Sequence, residues 1–279
     1  KGIVYSVDDE DFNETQYDYM GNPKFSTMIS KLCSYSHRSE FILRVLVDEL
    51  QLNPDQQFMI LAHNKSLITY LHDAIAHRKI GEGSVGYYIG GMKEAALKQT
   101  ESKKIIIATY AMASEGLDIK TLTSLILASP KTDVCQSVGR ILRQKHSSPL
   151  VIDIIDGHDI FMSQWYKRRK YYKSQNYKIL VCDNTEYESG YNKDISKWKV
   201  SSEPKGVSKK IQSKSKEDGK KSIAEQLKIT LSIPKAKKNI NHNDDADDDN
   251  EDDDIEDIHN SVEIDDIEEI EHENKRNKS

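Results

Sequence analysis

The chain has 279 residues, 37% apolar and 31% charged, with a mean hydropathy of −0.70. No window approaches the roughly 18 continuous apolar residues of a membrane span, and no charged-then-apolar segment opens the chain, so an intracellular protein, cytoplasmic or nuclear and without a membrane partner, is expected. Cys33, Cys135 and Cys182 lie too far apart for a paired metal spacing or a disulfide framework, which leaves reduced, mostly buried thiols and no metal site.

Charge is laid out in blocks. Residues 1–190 carry 23 Lys+Arg against 23 Asp+Glu, residues 191–240 carry 14 against 5, and residues 241–279 carry 3 against 18. A neutral body is thus followed by a basic stretch and then an acidic one. The chain opens on Lys1 rather than Met, as a portion of something longer would.

In chain order, residues 1–24, acidic around Asp8 to Asp11, read as a connector from a preceding domain. Residues 25–50 form a helical lead-in with an apolar stripe of Ile42, Leu43, Val45, Leu46 and Leu50. Gln57 to Ala62 is a strand-length apolar run. Ser66 to Ala76 follows as a helix, with Leu67, Leu71 and Ile75 four residues apart. Val85 to Ile89 is a second strand, broken by Gly90-Gly91, and Met92 to Leu97 starts a helix. Lys104 to Ala108 and Ser124 to Ala128 are the third and fourth strands. Val134 to Leu142 is a helix, Leu150 to Ile155 a fifth strand, Asp159 to Tyr172 a helix and Tyr177 to Cys182 a last strand. Strands apolar on both faces and joined by helices indicate a parallel sheet covered on both sides, a three-layer α/β domain over 25–185. Beyond it, 186–240 reads as a basic low-complexity linker. Residues 241–279 read as an acidic disordered tail, too poor in apolar surface to offset the entropy of ordering.

One octet concentrates the chemistry. In Gln136-Ser-Val-Gly-Arg-Ile-Leu-Arg143, residues Gln136, Gly139, Arg140 and Arg143 recur at i, i+3, i+4 and i+7. One helix face therefore carries an amide, a glycine and two guanidiniums, while Ile141 and Leu142 can anchor the other. Such a face suits a polyanion such as a nucleotide's phosphates; the alternative is a helix with two surface salt bridges. Upstream, the third strand runs into Thr109-Tyr-Ala-Met-Ala-Ser-Glu-Gly-Leu-Asp118, read as a loop at the carboxyl end of a parallel strand, where open α/β sheets bind ligands. Thr109 can offer a hydroxyl to a phosphate, Gly116 a close backbone approach, and Asp118 an acceptor for a ribose hydroxyl.

The order strand, Thr109 loop, strand, Gln-x-x-Gly-Arg-x-x-Arg resembles the second RecA-like lobe of superfamily 2 helicases. Phe58 to Lys65 is similar to motif IV of that family, Ala108 to Ile119 to motif V, and Gln136 to Arg143 to motif VI. The resemblance implies that Arg143 is the arginine finger, with Arg140 its companion on the phosphates and Gln136 positioning the water or the helix. It also implies that Gly116, Asp118 and Gly139 line the nucleotide cleft. Thr109, His63 and Asn64 would touch the nucleic-acid backbone, although His63 also suits a satisfied histidine at a strand end. Within the family, the octet, the Asp-bearing strand after it and a Lys/Arg/Tyr-rich helix resemble phage and large-DNA-virus helicases, including the poxviral transcript-release helicase.

That helix, Tyr166-Lys-Arg-Arg-Lys-Tyr-Tyr-Lys173, offers Lys167, Arg168 and Arg169 to phosphates and its tyrosines to bases; the alternative is a solvated face with tyrosines packed on the sheet. No Gly-x-x-x-x-Gly-Lys-Ser/Thr loop and no Asp-Glu-x-His or Asp-Glu-Ala-Asp box occurs. ATP and Mg²⁺ are therefore expected to be held mainly by a first ATPase lobe, in cis or in trans. Gln136 in place of a histidine, and Ser114-Glu115 in place of Ala-Arg, lean toward DNA over RNA as substrate. Transcription or repair proteins are further expected partners. The rival readings are a catalytically silent interaction module and an RNA helicase lobe.

Overall fold

A computed structural model of the chain describes residues 1–115, 119–141 and 149–205, with Glu115, Arg140 and Ile141 described by backbone alone. In order the elements are β1 (Gly2–Tyr5), α1 (Glu10–Asn13), α2 (Phe25–Ser34), α3 (Ser36–Leu52), β2 (Gln57–Ala62), α4 (Lys65–His77), β3 (Val85–Tyr88) and α5 (Glu94–Glu101). There follow β4 (Ile105–Thr109), α6 (Tyr110–Glu115), β5 (Leu122–Leu127), α7 (Cys135–Ile141), β6 (Leu150–Asp156), α8 (Asp159–Ser174), β7 (Ile179–Asp183), α9 (Asn184–Glu186) and β8 (Lys199–Ser202). The strands form one sheet in the order β3-β4-β2-β5-β6-β1-β7-β8, parallel throughout except for β8, which runs antiparallel to β7.

Alternation along the strands sorts the core into two layers. Phe58, Ile60, Ile105, Ile107, Ile126, Ile152 and Ile154 face one side, where Leu32 of α2, Ile42 and Leu46 of α3 and Leu67 and Leu71 of α4 cover them. Met59, Leu61, Ile106, Leu125, Leu127 and Ile155 face the other, under Tyr110 and Ala113 of α6, Val138 of α7 and Trp165 and Tyr172 of α8. Each fully buried Leu, Ile or Phe contributes about 1.5–3 kcal/mol of transfer free energy, so the central strands are the firmest part of the lobe. The expected α/β lobe with a mostly parallel, doubly covered sheet is the observed architecture.

Three expectations are corrected. Residues 1–24 are not simply a connector, because β1 lies inside the sheet, pairing in parallel with β6 on one side and β7 on the other. A Cβ at Gly2 would stand 3.0 Å from both Ile155 Cδ1 and Trp165 Cη2, so the missing side chain lets α8 close over β1. The linker expected from 186 starts too early. Tyr187 and Trp198 are buried in the core, Trp198 donates from Nε1 to the Tyr191 carbonyl at 2.8 Å, and β8 extends the sheet. Two large aromatic rings outweigh the lysines around them in this stretch. Finally, the helical lead-in divides at Tyr35, whose extended backbone (φ −78°, ψ 105°) separates α2 from α3. Residues 206–279, with the remainder of the basic linker and the acidic tail, lie outside the described residues.

Candidate functional site

The carboxyl ends of β2, β4 and β5 meet at Ser129. The Ser129 hydroxyl accepts the His63 backbone N–H at 3.0 Å and lies 3.0 Å from the ring nitrogen Nδ1. The hydroxyl can pass its own hydrogen to Nδ1, an arrangement that leaves the ring proton on Nε2. Desolvation of the ring, and secondarily the charge of Lys131, push the His63 pKa down to about 4, although the residue as a whole is exposed. At neutral pH His63 is therefore an uncharged N–H donor at the edge of the sheet. The His63 ring leans on Tyr110 with centroids 4.7 Å apart. Asn64 caps α4, its side-chain oxygen accepting from the Ser66 N–H at 2.8 Å, so that oxygen serves the helix start rather than a ligand.

After β4 the structure differs from the expected loop, for Tyr110–Glu115 is helical. Thr109 Oγ1 accepts from the Met112 N–H at 3.3 Å and Ser114 Oγ donates to the Tyr110 carbonyl at 2.9 Å, so hydroxyls at both ends brace this turn. Thr109 is half-buried at the strand end. Gly116 and Asp118 lie outside the described residues.

The segment between β5 and α7 is bonded from three directions. Arg38 of α3, fully buried, grips Asp156 of β6 through Nε and Nη2 at 2.6 and 2.8 Å and donates from Nη1 to the Ala128 carbonyl at 2.8 Å. Tyr110 donates its hydroxyl to the Ser129 carbonyl at 2.7 Å. On the opposite face of the sheet from Arg38, Arg168 of α8 grips Asp153 of β6 at 2.8 Å through both Nε and Nη2 and donates from Nη1 to the Lys131 carbonyl at 2.7 Å. Tyr172 adds a hydroxyl bond to Asp153 at 3.1 Å. The nearby carboxylates keep both guanidiniums protonated, raising their pKa against the desolvation that opposes it.

From this segment α7 departs. Asp133 accepts the Cys135 N–H at 2.8 Å, a bond that lowers its pKa and places a carboxylate at the positive end of the helix. Val134 and Val138 are buried against the sheet, whereas Gln136 is exposed and Gly139 half-buried. A Cβ at Gly139 would meet no atom of the described residues within 4 Å, so packing among them does not require glycine there. Arg140 continues the helix on the Gln136 side; its side chain, and Arg143 entirely, lie outside the described residues.

The basic helix resolves into two populations. Tyr166, Lys167, Lys170 and Lys173 are exposed, and Arg169 is half-buried with Nε donating to Ser201 of β8 at 2.8 Å. Arg168 must be withdrawn as a nucleic-acid contact, because it is 2% exposed and its donors go to Asp153 and the Lys131 carbonyl. Tyr171 Oη reaches the Cys135 carbonyl at 3.4 Å, which sets this part of α8 beside the first turn of α7. Arg38, Tyr110, Ser129, Asp153 and Asp156 were not legible as site residues. Their signal is the pair of acids in the otherwise apolar run Leu-Val-Ile-Asp-Ile-Ile-Asp of β6: three apart in a strand, they face opposite layers, and each needs a cation. Cys33, Cys135 and Cys182 are free, and desolvation above all pushes their thiols up to about 11, 11 and 12, too high for nucleophilic use at neutral pH. Among the described residues no three His, Cys, Asp or Glu side chains gather as a metal site.

No protein-family model matches the chain. Over 184 residues it is 39% identical to "Putative ATP-dependent RNA helicase L396" of Acanthamoeba polyphaga mimivirus, covering 64% of this chain and 35% of that protein. Over 112 residues it is 36% identical to "Putative ATP-dependent RNA helicase QP509L" of African swine fever virus, covering 39% of this chain and 22% of that protein. The fold matches the crystal structure of T4 UvsW with a TM-score of 0.50 at 20% identity, over 65% of this chain and 40% of that one. The chain thus spans about a third or less of these two curated relatives. Sheet order, layering and the T4 match define a RecA-like α/β lobe. Over the matched residues the chain is similar to viral proteins that carry the name ATP-dependent helicase.

Proposed function

We propose that this lobe completes the ATP site of a nucleic-acid motor whose nucleotide is held mainly, with Mg²⁺, by the other RecA-like lobe. The observation that carries the reading is α7, buried through Val134 and Val138 and presenting Gln136 outward, with Arg140 and Arg143 following at helical spacing. In hydrolysis, negative charge spreads over the transferred phosphoryl group. Arg143, with Arg140 beside it, supplies fixed positive charge there, and Gln136 orients the attacking water or the finger helix. An arginine of this kind is worth a factor of about a thousand to a hundred thousand in rate. Gly116, Asp118 and Gly139 line the same cleft. Because the arginines arrive from a second lobe, turnover depends on closure, and cycles of closure move phosphate-gripping surfaces along a strand.

For the strand itself, Thr109, Asn64 and the His63 Nε2–H offer donors at the carboxyl edge of the sheet. Lys167 and Arg169 offer charge along α8. The mimivirus and African swine fever virus relatives carry the name RNA helicase, which favours RNA; Gln136 and Ser114-Glu115 favour DNA. Turnover measured with single-stranded DNA and RNA of one sequence separates the two. We further propose that the acidic block 241–279 competes with nucleic acid for the basic block 191–240, whose net charges are −15 and +9. Deleting 241–279 then tightens nucleic-acid binding, and unchanged affinity and salt dependence overturn that proposal.

The motor reading is tested by comparing the polypeptide carrying both lobes with the 279-residue chain. The first should hydrolyse ATP faster when nucleic acid is added and the second should not hydrolyse it. Turnover by the chain alone, or turnover in the two-lobe protein indifferent to nucleic acid, overturns it.

A further inference from the structure

We infer that Arg38, Tyr110 and Arg168 are positioning residues for α7: acting from both faces of the sheet, they set where the Gln136 face sits by fixing the backbone that leads into it. The functional consequence rests on the motor reading above.

The carbonyls of Ala128, Ser129 and Lys131, three of four consecutive residues, are taken by donors from α3, α6 and α8 at 2.8, 2.7 and 2.7 Å. The fourth residue, Pro130, has a fixed φ and no N–H. Upstream, the Ala128 N–H donates to the Leu61 carbonyl at 2.8 Å, and the Ser129 hydroxyl accepts from His63. The carbonyls of this segment are therefore held by side chains where a regular element would use its own backbone. Only downstream, where Val138 N–H donates to the Val134 carbonyl at 2.9 Å, does α7 take over its own hydrogen bonding.

Stability alone does not account for the arrangement. Two buried Arg–Asp pairs three residues apart on one strand are costly to desolvate, and a buried ion pair is commonly replaceable by apolar packing without loss of stability. What apolar side chains cannot supply is the third donor of each guanidinium, and both third donors go to the segment before α7. The planar fork explains the choice of arginine over lysine: two nitrogens face the carboxylate while the third points elsewhere at a fixed angle. Each pair ties a different layer, α3 on one face and α8 on the other, to one strand and one segment. A shift of α7 relative to the sheet then breaks bonds on both sides, and misplacing a catalytic group by about 1 Å can cost about a hundredfold in rate.

Two variants test this with little disturbance of the core. Tyr110→Phe removes one hydroxyl and keeps the ring. Arg168→Lys keeps the charge opposite Asp153 and loses the fork. In the two-lobe protein, Tyr110→Phe should lower kcat for ATP about tenfold, the worth of one good buried hydrogen bond, with KM for ATP and nucleic-acid affinity unchanged. Arg168→Lys should lower kcat further with the same split. In the 279-residue chain, both should accelerate amide hydrogen exchange at Cys135–Ile141 while leaving β2 and β4 protected. Unchanged exchange at Cys135–Ile141 in both variants overturns the inference, as does faster exchange with kcat at the wild-type level. A loss spread evenly over all strands also overturns it, since that reports general destabilisation. Wild-type turnover in Arg143→Ala would instead sink the motor reading, and the exchange result would still decide whether the three side chains place α7.

Discussion

Two neighbouring helices, α7 and α8, carry polar faces, and the fold disposes of them in opposite ways. On α7 the polar face is turned outward: Gln136 is exposed and the helix is seated by Val134 and Val138. On α8 the most cationic stretch of the described chain is split within two residues. Lys167 lies in solvent, while Arg168 lies inside, committed to Asp153 and the Lys131 carbonyl. The difference teaches that a cation's role follows from what stands opposite it in the fold. Asp153 claims Arg168, and no described acid of this lobe pairs with Lys167.

That contrast can be broken by substitution. Arg168→Ala leaves the Asp153 carboxylate buried without its partner and should cost about 3–5 kcal/mol of stability, with Arg38→Ala similar through Asp156. Urea unfolding of the chain measures both, and a loss near zero for either would show that the pair is dispensable. Lys167→Ala should leave stability within about 0.5 kcal/mol. It should instead weaken nucleic-acid binding uniformly across sequences and reduce the salt slope of log K by about 1; an unaltered slope removes Lys167 from the phosphate track. The smallest effect is at His63. Its folded pKa of about 4 lies below the ordinary 6.5, so the unfolded chain takes up the proton first. The His63 contribution to stability is therefore intact above about pH 6.5 and lost as the pH falls toward 4. In His63→Gln the melting temperature should depend less on pH across that window, and identical profiles would show that the ring is solvated.

Much of the fold was legible because buried parallel strands announce themselves. Gln57–Ala62 is a strand with the bounds its apolar run suggests, and β4, β5 and β6 follow their Ile- and Leu-rich runs to within two residues. The strands that escaped are those whose stability comes from neighbours. β1 has four residues and is a strand because β6 and β7 flank it; β8 reads Lys-Val-Ser-Ser and exists because β7 offers an edge. A start signal was missed at α9, where Asp183 and Glu186 form a reciprocal capping box. At the site, spacing located the helix that carries Gln136, yet nothing local distinguishes Arg168 from Arg169. That distinction needs the register of α8 against β6, which is a tertiary fact. Tyr110 was hidden for the same reason: its phenol acts 19 residues away in sequence, on the Ser129 carbonyl.

The most direct measurement is nucleic-acid-stimulated ATP turnover of the two-lobe protein with Arg143→Ala, alongside its ATP affinity. If this lobe supplies the arginine finger, turnover falls about a thousandfold or more while ATP affinity is largely kept. Turnover at the wild-type level, with the protein folded, would contradict the account.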